Sequence, residues 1–292
     1  MTLEQLRIFV GVAEREHMTA AARALNVTQS AASAAIAALE ERHAIKLFHR
    51  VGRGITLTEA GRLFLTEARG VLARAGAAEN VLEEMGGLKR GTLRVVASQT
   101  IAAYWLPPIL AAFHERHPAI GIELAIGNTE QAAARVHDGE ADLGIVEGEI
   151  DDPALAHWPI GEDRLLLVGA EPFGEPCIDA TWLQGARWVQ RESGSGTRST
   201  LDSYLLALGV DTATLDVALV MPSNESVRTA VEAGAGVAVL SALVVAPAIK
   251  TGTLHAAPIA FAPRPFFGLR HKERYRTKAS DALLDVIGKG RP

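Results

Sequence analysis

The sequence holds a single cysteine, Cys177, among its 292 residues. An internal disulfide framework is therefore excluded, and the composition fits a reducing cytoplasm. Cys177 itself, in EPCID, has no base beside it in the sequence and reads as incidental. The nine histidines are scattered, with no HExxH or CxxC grouping, so no metal site is expected. No run reaches the roughly 18 apolar residues that a membrane span needs, so no membrane partner is expected. The opening MTLEQLRIF lacks the basic segment and apolar core of a signal peptide. Phosphate loops ending in GKS/T, a GxGxxG after the first strand and a GxSxG elbow are all missing. With no catalytic residue and no cofactor implied, the expectation is binding without turnover.

Positive charge is also scarce, but unevenly. The net charge is -5, yet residues 1–90 hold 12 Lys/Arg against 10 Asp/Glu, while the remainder holds 17 against 24. From Arg42 to Arg53 lie four basic side chains, two histidines and no acid. A basic corner on a small N-terminal region suits a nucleic-acid contact, and suits a solvated corner equally well.

The local pattern of that region narrows the choice. Residues 3–15 place Leu3, Leu6, Phe9 and Val10 on one helical face. Thr19 is placed to cap a short helix, and Thr28 a second one running to about Arg42. Two helices across a tight turn at Asn26-Val27 form a helix-turn-helix pattern. In the second helix Ala32, Ile36 and Leu39 face inward, while Gln29, Ser33 and Ala37 lie opposite, beside Ser30. Small residues there let the backbone approach a surface, and a Gln amide matches adenine; small residues filling an ordinary core would read the same. KLFHRVGRGITL then forms a hairpin, or wing, with Arg50 and Arg53 placed for phosphate or the minor groove. Thr58 caps a long helix to about Met85. Its seam of Phe64, Ala68, Val71, Ala75, Ala78, Leu82 and Met85 suits pairing with a second copy or packing on its own chain. Gly86-Gly87 marks a boundary.

From Gly91 strands alternate with helices, the mark of an α/β fold, in two sets that each look parallel; a helix over Ala102–His114 is interrupted near its start by Pro107-Pro108. Further helices are expected over Gln131–His137, Ser199–Leu208 and Glu225–Ala233. Polar clusters recur between strand and helix: Ser98-Gln99-Thr100, Asn128-Thr129, Glu147-Gly148, RESGSGTRS at 191–199, and Ser223-Asn224. Five such loops in equivalent positions predict a ligand crevice at the carboxyl ends of the strands, in one large domain or between two lobes. Arg198 is a candidate for recognising a carboxylate or an inorganic anion.

LEQLRIFVGVAE, TAAARALNVTQSAASAAIAALE, LFHR and LTEAG, together with NESVRTAVEAGAGVAVLS, resemble the LysR-type transcriptional regulators over essentially the whole chain. The resemblance implies a winged helix-turn-helix domain (1–58) and a linker helix for dimerisation (59–87). It further implies a two-lobed effector domain (91–292), Rossmann-like and similar to periplasmic binding proteins. Its lobes would be 91–162 with 268–292, and 163–267. DNA contacts would come from Thr28, Gln29, Ser30, Ser33, Arg50 and Arg53. Ala34 and Ala37 stand where relatives often carry Arg, Gln or Lys, so shape readout would supplement direct contacts. His43-Ala44 replaces the usual Leu-Gly. The effector would meet Ser98, Gln99, Thr100, Asn128, Glu147, Ser195, Thr197, Arg198, Ser223 and Asn224. GNT, LGIVEG and RESGSGTR are similar to the branch of sulfur-assimilation and carbon-fixation regulators, which implies a small anionic effector such as a sulfur oxyanion or a phosphorylated metabolite. The implied partners are double-stranded DNA, a second copy in a homodimer or homotetramer, and RNA polymerase.

Overall fold

The computed structural model describes residues 1–51, 54–85, 91–148, 150–174 and 178–289, with the side chains of 51, 80 and 83–85 excepted. Arg53, Cys177 and the Gly86-Gly87 boundary lie outside these residues. The chain divides into two compact units, one holding Met1–Leu82 and the other nearly all of the rest.

The first unit contains α1 (Leu3–Arg15), α2 (Met18–Ala24), α3 (Gln29–His43), β1 (Phe48–Val51), β2 (Gly54–Leu57) and α4 (Glu59–Met85). A capping box starts α1, with the Thr2 hydroxyl accepting from the Gln5 N–H and the Gln5 side chain accepting from the Thr2 N–H. The buried face of α1 is Leu6, Ile8, Phe9 and Val12; Leu3 is exposed and Val10 only half-buried, so that face is centred further round the helix than the Leu3–Val10 pattern suggests. Phe9 meets Phe48 of the wing and Phe64 of α4 at ring separations of 5.5 and 4.8 Å. Together with Ala32, Ile36 and Leu39 of α3 they form the core of the unit.

The cap of α2 is His17 rather than Thr19. Its Nδ1 accepts from the Ala20 N–H at 3.2 Å, so the helix begins two residues earlier and Thr19 falls inside it. Asn26, with φ 56°, makes the turn, and the Thr28 hydroxyl caps α3 as expected. Ala44 ends α3 in the left-handed region (φ 50°), the conformation that Gly would take without steric cost. Along α4, Phe64 and Ala68 join the core, whereas Val71 and Leu82 are 43% and 71% exposed. The seam is thus divided: its first two positions pack on their own unit and two later ones face outward.

The second unit runs β3 (Gly91–Ser98), a π-helical turn (Ile101–Trp105), α5 (Leu106–Arg116), β4 (Ile120–Gly127), α6 (Thr129–Asp138), β5 (Leu143–Glu147) and β6 (Leu155–Asp163). The chain continues through β7 (Leu165–Gly169), α7 (Ala180–Gly185), β8 (Arg187–Arg191), α8 (Gly196–Ala207), β9 (Asp216–Met221), α9 (Asn224–Glu232) and β10 (Ala238–Ser241). It closes with α10 (Ala242–Thr251), β11 (His255–Ala256), β12 (Arg264–His271) and α11 (Lys278–Lys289).

One lobe is a five-stranded sheet in the order β4-β3-β5-β12-β6. Leu93, Val95 and Ala97 of β3 pack on one face with Phe113, Leu283 and Ile287, while Val96 enters a separate cluster on the other with Ala132 and Val136. Burial on both faces is what the continuous apolar strands require. The other lobe has β10-β7-β11 and the parallel pair β8-β9, joined by a bridge between Trp188 and Val237. The sheets are mixed rather than wholly parallel: β12 runs antiparallel to β5 and β6, and β7 antiparallel to β10 and β11. Antiparallel return strands arise because the chain crosses between the lobes twice, after Asp163 and again before Arg264. Pro107-Pro108 fall within a continuous helical run that begins at Gln99, directly after the π-helical turn Ile101–Trp105, so the regular α-helix is interrupted near its start as the proline pair predicts, by a local widening and not by a break.

Candidate functional site

In the first unit, α3 and the wing present the expected polar set. Thr28, Gln29 and Ser30 are exposed and Ser33 is half-buried. The Thr28 hydroxyl accepts from the Ala31 N–H and lies 3.0 Å from that of Ser30, and the Gln29 amide donates to Ser33 Oγ at 3.2 Å. Arg50 is exposed on β1, opposite Ile55 in the hairpin register. The wing is fastened to α3 by Glu40, a residue the sequence did not single out. This buried carboxylate accepts from the Leu47 N–H at 2.9 Å, the Phe48 N–H at 3.3 Å and Lys46 Nζ at 2.5 Å. Burial alone would raise its pKa, but the three donors outweigh that and hold it below the ordinary carboxylate value.

In the second unit, the polar loops meet where the two lobes face each other. Helices α6, α8 and α9 each begin one to three residues earlier than their apolar periodicity predicts, drawing the loop residues into their first turns. Asn128 caps α6, accepting from the Gln131 N–H at 2.9 Å, and Ser223 caps α9, accepting from the Ser226 N–H at 3.0 Å. Cross-lobe bonds then follow. The Gln99 amide donates to the Pro222 carbonyl at 2.7 Å and accepts from the Asn224 N–H at 3.0 Å. The Asn224 amide donates to Thr100 Oγ1 at 3.0 Å, and Asn128 Nδ2 donates to the Ser193 carbonyl at 3.3 Å.

One close approach here requires glycine. A Cβ on Gly196 would lie 2.1 Å from the Glu147 carbonyl oxygen, so only glycine lets the start of α8 close onto the end of β5. Ser195, at the N-cap of α8, makes no side-chain capping bond. Ser98, buried at the end of β3, has a hydroxyl with no hydrogen-bond partner.

Charged residues that the sequence left unassigned complete the cleft. Arg191 is buried and donates through Nε and Nη2 to the two oxygens of Glu192 at 2.7 and 2.8 Å, and through Nη1 to Asn224 Oδ1 at 2.5 Å. The Glu192 pKa, which burial would raise, is held below its usual value by the Arg191 guanidinium. At the crossover, Arg264 donates to Asp163 at 2.6 Å and to Thr197 Oγ1 at 3.1 Å, with the Glu147 carboxylate 3.6 Å away. Ser241 Oγ also donates to Asp163. Arg191 and Glu192 were visible in RESGSGTR, but Arg264 had no local signal; it is brought in by β12 from far along the chain.

Of the expected effector residues, Ser98, Gln99, Thr100, Asn128, Glu147, Ser195, Thr197, Ser223 and Asn224 gather at these facing loops. Arg198 is bonded within its own lobe, to Asp202 at 3.6 Å and to the carbonyl of the cleft residue Arg191 at 3.4 Å. Among the described residues no group of three or more His, Cys, Asp or Glu is arranged for a metal, and no helix is long and apolar enough to cross a membrane.

Comparison with known proteins places both units. Residues 3–62 match the bacterial regulatory helix-turn-helix protein, lysR family, and residues 86–291 match the LysR substrate binding domain. An uncharacterized HTH-type transcriptional regulator of Escherichia coli K12, YeiE, is 32% identical over 98% of this chain and 96% of its own. A probable RuBisCO transcriptional regulator of Trichormus variabilis is 32% identical over 98% of this chain and 87% of its own. In fold, the chain is similar to full-length CbnR in the crystal structure of its complex with target DNA, with a TM-score of 0.70, 23% identity and full coverage of both chains.

Proposed function

We propose a function that proceeds from family: this chain belongs to the LysR family of bacterial helix-turn-helix transcriptional regulators, as a DNA-binding regulator with a ligand-binding domain. It is not an enzyme; its two matched domains bind DNA and ligand. Thr28, Gln29, Ser30 and Ser33 of α3 enter the major groove of double-stranded DNA, and Arg50 and Arg53 of the wing hold the backbone or minor groove. The chain acts as a homodimer or homotetramer. The outward Val71 and Leu82 of α4 support this, as does an apolar cavity of about 300 Å³ in the first unit, lined by Ile45, Leu47 and Phe64 among others. RNA polymerase is the partner through which the bound regulator acts.

The effector is a small anion, a sulfur oxyanion or a phosphorylated metabolite, held between the lobes. The observation that carries this is the Ser98 hydroxyl, buried without a partner among loops whose other polar groups are largely bonded across the cleft. A buried donor without an acceptor is costly and calls for a ligand oxygen. The uncapped start of α8 adds N–H groups and a positive dipole end that suit negative charge.

Titration of the full-length protein with sodium sulfate and, separately, sodium phosphate tests the reading. Saturable binding of either, weakened about tenfold by Ser98→Ala, is expected, and the stronger ligand tells sulfur from phosphorus chemistry. Wild-type protein that binds neither would contradict the anionic effector.

A further inference from the structure

An anion entering this cleft meets one already in place. The fork of Arg191 is filled by the carboxylate of the next residue, Glu192, at 2.7 and 2.8 Å. From the opposite lobe Asn128 Nδ2 donates to the same carboxylate at 3.4 Å. A guanidinium fork and an amide facing each other across a cleft form a seat for an oxyanion, since two parallel N–H donors match two oxygens of carboxylate, sulfate or phosphate alike.

The two side chains of the pair differ in their access to water. That of Arg191 is 4% exposed and that of Glu192 is 27% exposed. The guanidinium is fixed further by its bond to Asn224, so it must keep an anionic partner. The carboxylate stands at the solvent side and can rotate out. Glu130 and Glu147 also line this region: the Glu130 carboxylate lies beside Gly194, and the Glu147 side chain is buried near Arg264. A second anion added next to an undisplaced Glu192 would therefore meet like charge on several sides.

We infer that Glu192 is a tethered competitor of the effector: an incoming oxyanion takes the Arg191 fork and the Asn128 amide as Glu192 swings into solvent. The inference rests on the anionic reading of the cleft given above. The exchange leaves Arg191 with an anionic partner throughout. It also replaces a bond between the lobes, Asn128 to Glu192, by one that the effector makes to both. Because a tethered carboxylate acts at high effective concentration, it sets a threshold that free anion must exceed before the cleft responds.

The test is isothermal titration of sodium sulfate into full-length wild type, E192Q, E192A and the control E225Q, at constant ionic strength, with thermal unfolding of each. Glu225 contacts Tyr104 and carries one of the nearby acidic charges without touching Arg191. E192Q and E192A are expected to bind sulfate at least about tenfold more tightly than wild type, and to gain a larger rise in melting temperature on adding it. E225Q should change less than about twofold. Wild type that binds sulfate while E192Q and E192A bind it equally or more weakly overturns the inference and leaves the anionic reading standing. An equal gain in E225Q also overturns it, by reducing the effect to general charge. Absence of binding in all four proteins defeats the anionic reading and the inference together.

Discussion

Asn224 and Thr100 belong to different lobes, and the Asn224 amide donates to the Thr100 hydroxyl at 3.0 Å while its carbonyl oxygen receives Arg191 Nη1. One buried side chain thereby joins the lobes and orients the guanidinium of the cleft. Asn224→Ala would leave both partners buried and unsatisfied, at a cost of about 1–3 kcal/mol in stability. Thermal unfolding of the full chain should show the loss, and anion titration should show weakened binding.

At the crossover between the lobes, Arg264 stands between Asp163 and Glu147, all buried. Arg264→Met would leave two carboxylates without their cation and should cost about 3–5 kcal/mol. Adding Asp163→Asn should recover part of that loss. Denaturant unfolding of the two variants checks it, and a double variant no better than the single one would contradict the pairing.

Glu40 couples the wing to α3, and its depressed pKa gives this coupling a pH dependence with a definite sign. The carboxylate is favoured in the folded state. Its contribution is therefore fully present above the unfolded value and is lost as pH falls through the lower folded one. Glu40→Gln should destabilise the protein near neutral pH by about 1–3 kcal/mol, and the gap to wild type should narrow on acidification. Melting temperatures between pH 3 and pH 7 decide this.

Ala44 holds a left-handed conformation at φ 50°, which disfavours a side chain. Ala44→Gly should be stabilising by about 1 kcal/mol, the steric relief exceeding the added chain entropy. A lowered melting temperature would contradict that assignment of strain.

Arg50, exposed on the wing, should act as a backbone contact. Arg50→Ala is expected to weaken DNA binding on all sequences alike and to make the log–log salt dependence shallower by about one. Fluorescence anisotropy across a salt series reads both quantities.

What could be read from the sequence divides along physical lines. The helix-turn-helix was legible because its determinants are local: a Thr28 cap, apolar residues three and four apart, and a turn at Asn26. The cap of α2 was misread because the His17 ring substitutes for a hydroxyl two positions later. The polar loops were legible because strand-to-helix turns gather hydroxyls and amides. Their early helix starts were not, since the caps hide among residues with no apolar period. Strand β12 and Arg264 were illegible for a different reason. RPFFGLRH carries no alternation, and its place is fixed by β5 and β6, more than a hundred residues earlier. The setting of Glu192 likewise arises from Asn128, 64 positions away.

Capture of sheared genomic DNA by the purified protein at physiological salt, followed by sequencing, shows whether the chain reads specific DNA. Sharp enrichment of a few intergenic sites with two-fold symmetry is expected of a homodimeric or homotetrameric regulator. Uniform weak recovery across the genome, unchanged by added sulfate or phosphate, would contradict it.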